Sequence, residues 1–209
     1  MEALVLISGE HGGAMSLIRQ DQSVEISGHG VPLGARAIHF YYTKPEQQRL
    51  LGFLMEGIAR YEGVVMACAE SASEPLCDGL EILGVRLTEP EILRVEITSN
   101  VRASIASIAA AAKHALGREH RICGRVLCDF GSMIGQETVS EVENLLHYQL
   151  AGRALVSVTQ YDGRSFGAPI TIEQFQNHAL AIVGSAFFCG SHYGDLPDAF
   201  IRNRVTREN

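Results

Sequence analysis

After residue 35 the sequence alternates apolar runs of strand length with amphipathic stretches of helical period. That alternation restricts the chain to an α/β architecture built on a mainly parallel sheet. Ile38-His39-Phe40-Tyr41-Tyr42 reads as the first strand and Gly63-Val64-Val65-Met66-Ala67-Cys68 as the second. Residues 92–97, 125–130, 155–159 and 179–183 continue the series, and the charged alternation in 92–97 is that of an edge strand. Between them, Thr43 and Glu46 have capping-box spacing, and Leu50, Leu51, Leu54 and Ile58 recur on one helical face. Residues 71–83 predict a second helix that ends at Gly84, and Asn100 is placed to cap an alanine-rich helix over 101–116. Residues 136–150 predict another, with Val139, Val142, Leu145 and Leu146 on one face and acids near its start. A short helix is expected over 171–175.

The first 34 residues read differently. Residues 4–7 and 24–26 are short strand-like runs, and the glycine-rich stretch 28–34 reads as a flexible connector. The expected organisation is an N-terminal β appendage with its connector over 1–34, an α/β domain over 35–195 and a C-terminal tail over 196–209. With 46% hydrophobic residues in 209, the chain can bury a sizeable core in one such domain.

The turn after the first strand narrows the chemistry. A phosphate-binding turn needs glycines whose N–H groups wrap the anion, followed by Lys and Ser or Thr. Thr43-Lys44-Pro45-Glu46 has no glycine, and its proline removes an N–H donor. A nucleotide-binder's layout without its phosphate cradle points to recognition rather than catalysis, and no ATP hydrolysis is expected. No G-x-S-x-G elbow is present. The eight histidines and five cysteines show no metal-ligand spacing, so no metal site is expected, and the cofactor is left open. The formal charge of −7 argues against a nucleic-acid footprint. Neither a signal peptide nor an apolar run of membrane-spanning length is evident, so a cytoplasmic location without membrane association is expected.

Several of these runs together resemble a known family. Ile38-His39-Phe40-Tyr41-Tyr42, Phe53-Leu54-Met55-Glu56-Gly57-Ile58 and Glu62-Gly63-Val64-Val65 are similar to the opening motifs of the methanogen/methylotroph sensory domain. That family is named for a dichloromethane-responsive regulator. Glu141-Val142-Glu143-Asn144, Gln160-Tyr161-Asp162 and His178 continue the resemblance, which spans roughly residues 35–190. Where the family often has a cysteine before the Tyr-Asp pair, this chain has Val158-Thr159, so no thiol role carries over. The resemblance implies a RecA-like domain lacking a P-loop. It also implies a sensory function passed to a DNA-binding domain or kinase, here through a separate regulatory partner protein or self-association.

Ligands of open α/β sheets bind beyond the carboxyl ends of the strands. The candidate ligand-binding residues are therefore His39, Tyr41, Asp129, Tyr161 and His178, and the expected ligand is a small organic molecule with a polar handle. His39 shares a strand face with Tyr41. Each has a plainer reading: His39 as a satisfied core histidine, the tyrosines as packed rings, Asp129 as a cap of the following turn, and His178 as a helix-end complement. The competing function is a protein-binding adaptor whose crevice has filled with side chains; a divergent nucleotide-binding enzyme is the third reading. A homodimer is also expected; the strands at 4–7 and 24–26 are candidates for its edge, with folding back onto their own sheet as the plainer reading.

Overall fold

Parallel pairing of the apolar runs builds a seven-stranded sheet. A computed structural model describes residues 23–85, 92–117, 123–166 and 178–189. A small hairpin comes first, β1 (Ser23–Ile26) and β2 (His29–Pro32), paired antiparallel. The domain then runs β3 (Arg36–Tyr41), α1 (Lys44–Gln48), α2 (Leu51–Ala59), β4 (Gly63–Ala69) and α3 (Glu70–Ile82). It continues through β5 (Ile92–Ile97), α4 (Val101–Leu116), β6 (Gly124–Asp129), α5 (Val139–Leu150), β7 (Leu155–Asp162), β8 (Leu180–Val183) and β9 (Ala186–Cys189).

The strand order is β5-β4-β6-β7-β3-β8-β9, parallel throughout except for the β8–β9 hairpin. This is a RecA-like layout with a small N-terminal sheet, as the alternation of runs predicts. Each face of the sheet has its own core. Ile38, Phe40, Val126 and Cys128 meet Ile105 and Ile108 of α4 and Val142 and Leu146 of α5. Ala37, Val64, Met66 and Leu127 meet Phe53 and Leu54 of α2 and Leu76 and Leu80 of α3. The central strands β4 and β6 are buried along their whole length; β4 reads as an unbroken apolar run, and β6 has an apolar centre bounded by Arg125 and Asp129.

The helix ends follow local chemistry. Asn100 caps α4, its side chain accepting from Ala103 N at 3.2 Å. Thr43 caps α1, but Glu46 reaches one residue further back than a capping box requires and accepts from Tyr42 N at 2.8 Å. Residues 29–32, expected as part of a flexible connector, form β2 instead. Val24, Ile26 and Val31 are buried in the α2–α3 core, and this burial outweighs the low strand propensity of the neighbouring glycines. Residues 24–26 thus fold back against their own chain, the plainer of the two readings for them, while residues 4–7 and 171–175 lie outside the described residues. β7 runs three residues beyond the predicted strand, and β9 adds an unpredicted edge. Among the described residues no helix is long and apolar enough to cross a membrane.

Candidate functional site

The carboxyl ends of β3, β4, β6 and β7 open into a cleft of about 340 Å³. Its walls come from the β3–α1 turn (Tyr42, Thr43, Lys44), the start of α3 (Ser71, Pro75), the turn after β6 (Gly131, Ser132) and the end of β7 (Asp162, Arg164). Tyr41 and Gln47 line it as well. Two glycines shape these walls. Gly131 has φ of +55°, and a Cβ there would meet Ser71 Oγ at 3.3 Å. A Cβ on Gly163 would strike the Tyr42 ring at 2.6 Å, so Tyr42 forms its wall only because residue 163 has no side chain.

Behind the cleft, parallel register aligns Asp129, Gln160 and His39 on adjacent strands. The fully buried Asp129 accepts four hydrogen bonds. Tyr41 Oη (3.2 Å) and Gly131 N (2.9 Å) donate to Oδ1, while Gln47 Nε2 (2.8 Å) and Gln160 Nε2 (3.0 Å) donate to Oδ2. The bond from Gly131 is the turn cap that the sequence allows. With both oxygens accepting twice, the carboxylate has no vacant lone pair to offer a metal ion. Burial pushes its pKa up to about 6 against the pull of these donors. Burial, reinforced by the Asp129 charge, also raises the Tyr41 hydroxyl.

A carboxylate can only accept, so Gln160 turns its amide nitrogen to Asp129 and its oxygen to His39, 2.9 Å from Nδ1. That assigns the proton of His39 to Nδ1. Burial lowers the imidazole pKa to about 4, so the ring stays neutral, and Nε2 has no hydrogen-bond partner among the described residues. His39 therefore sits behind the cleft in this network and does not line it.

Tyr161 and His178 occupy the opposite face of the sheet. Tyr161 is one residue out of phase with Gln160, so its ring stacks between Phe40 and Phe130, with centroids 5.7 and 5.6 Å away. Its hydroxyl donates to Glu143 Oε1 at 2.7 Å, and His178 Nε2 lies 2.9 Å from Glu143 Oε2. Arg36 approaches the same carboxylate at 3.6 Å. Burial would raise Glu143, but the His178 contact and the Tyr161 bond prevail and hold it below the ordinary carboxylate value. Of the five candidates, Tyr41, Asp129 and His39 belong to one network and Tyr161 and His178 to another. Gln47, Gly131, Gln160 and Glu143 complete these networks; none is among the five candidates, although Gln160 and Glu143 belong to the runs that carry the family resemblance.

The fold and cleft define an α/β domain of RecA-like layout without a phosphate cradle at its first turn. No family model matches the chain, and no curated protein matches it. Among the described residues no group of three or more His, Cys, Asp or Glu side chains is arranged to hold a metal ion.

Proposed function

We propose that the protein is a cytosolic sensing domain that binds a small organic molecule in this cleft and relays the event to a regulatory partner protein. The observation that carries the reading is the open polar cleft at the carboxyl edge of the sheet, where open α/β folds bind ligands. An adaptor with a filled crevice would have no such space. The walls belong to four separate connections of the sheet, so one ligand touching them all would draw the β3–α1 turn, α3 and the β7 end together. Such differential contact is what a sensor needs to bias one conformation over another.

A thermal-shift screen with small polar organic compounds, followed by calorimetry on the hits, tests the proposal. The expected result is a set of ligands that stabilise the wild type and lose binding in Ser132→Trp, where an indole occupies the cleft. Undiminished binding in that variant, with the fold intact by circular dichroism, would overturn the assignment.

A further inference from the structure

The back of the cleft has a polarity that its residue types alone do not reveal. Gln47 commits both hydrogens of Nε2 inward, to Asp129 Oδ2 at 2.8 Å and to the Ala72 carbonyl at 3.1 Å. Its Oε1 accepts no hydrogen bond among the described residues and is not sealed from solvent, although the residue is only 4% exposed and lines the cleft. Tyr41 likewise spends its hydroxyl hydrogen on Asp129 Oδ1, leaving the oxygen lone pairs for a ligand. The ionised Asp129 thus orients two neighbours so that both present acceptors.

The charge of Asp129 is also uncompensated. Its four donors are all neutral, and no cation pairs with it among the described residues. The cations of the cleft wall are each matched already. Lys44 Nζ lies 3.0 Å from Asp78, and Arg164 makes a double contact with Asp162. Buried charges are ordinarily paired because desolvation is costly.

We propose that the cleft takes a small organic cation, a primary ammonium whose N–H groups donate to Gln47 Oε1 and the Tyr41 hydroxyl oxygen and whose charge offsets Asp129. The proposal rests on the ligand-binding reading above and specifies its ligand class. It carries a pH dependence. The ionisable groups around Asp129 are Tyr41 on β3, Cys68 on β4, Cys128 on β6 and Asp162 on β7, with His39 reached through Gln160 and Lys44, Asp78 and Arg164 at the rim. Asp129 titrates at about 6 and His39 at about 4. Burial raises the Cys68 and Cys128 thiols, and the Arg164 contact holds Asp162 low. Acidification through pH 6 therefore discharges Asp129 and frees it to donate, which removes the attraction for a cation.

Calorimetric titration with ethyl, butyl and benzyl skeletons, each as ammonium, alcohol and carboxylate, provides the test. The ammonium of at least one skeleton is expected to bind at least about tenfold more tightly than its alcohol, with the carboxylate weaker still. That preference should fall by up to about tenfold per pH unit below 6, as linkage to one proton requires, and Asp129→Asn should erase it. If Asp129→Asn fails to fold, the wild-type pH profile and a Tyr41→Phe variant, expected to narrow the preference, carry the test. Alcohols or carboxylates binding as tightly as ammoniums, or a preference unchanged between pH 7 and 5, would overturn the ligand class while leaving the sensing reading standing. Failure of all nine compounds to bind would also overturn it. The sensing reading falls with it only if no small molecule co-purifies with the protein.

Discussion

Asp129 and Glu143 are both buried carboxylates, yet their surroundings drive them in opposite directions. Neutral donors around Asp129 do not repay its desolvation, so its folded pKa of about 6 exceeds the ordinary value of 3.8. The native state then holds the proton more tightly than the unfolded chain, and this group adds stability as pH falls from 7 toward 4. Glu143, held low by His178 and Tyr161, contributes stability above its ordinary value of 4.5 and loses it as pH falls below. Urea unfolding across pH 3 to 7 should show wild type gaining on Asp129→Asn between pH 7 and 4. Glu143→Gln should be less stable at pH 7 by about 1–3 kcal/mol, because Gln meets two donors with one acceptor, and this deficit should shrink below pH 4.5. A deficit that persists undiminished to pH 3 would contradict the assignment. His39 and Tyr41 were readable as same-face partners because both fall inside the strand as read over 38–42 and as folded over Arg36–Tyr41. Tyr161 was not, because the apolar run of β7 ends at 159 although the strand continues to Asp162, and side-chain parity cannot be applied beyond the run.

At the scale of elements, the described strands and helices between β3 and β8 were largely legible because each carries its own period, and α1 and α4 a side-chain cap as well. Asn100 before α4 and the unbroken apolar run of β4 are the clearest cases. The hairpin strand β2 was not, because glycines at 28, 30 and 34 carry a connector's composition while burial of Val31 makes the strand. The row Asp129–Gln160–His39 depends on strand order, which no local pattern encodes. At the other end of β6, Arg125 ties three segments together. Its side chain is fully buried, donating to the Phe53 carbonyl of α2 at 2.9 Å, to Glu56 at 2.9 Å and to Glu62 before β4. Arg125→Ala removes the cation that pairs with the buried Glu62, and a loss of about 3–5 kcal/mol is expected. Chemical denaturation decides this, and a change below about 1 kcal/mol would show that these contacts do not anchor α2.

Over the whole molecule, a sheet of RecA-like order brings four connections to one edge, as nucleotide-binding folds do, but the first of them lacks the glycine cradle. In its place stand a tyrosine wall, the serines Ser71 and Ser132, and a glutamine and tyrosine oriented by a buried acid. The alternation of runs made the architecture legible, whereas the cleft arises only when distant segments converge. Native mass spectrometry of gently purified protein distinguishes an occupied cleft from an empty one. A bound organic species of low mass is expected, released on unfolding and absent from Tyr41→Ala. Protein that carries no small molecule in any preparation, or a bound species retained by Tyr41→Ala, would contradict it.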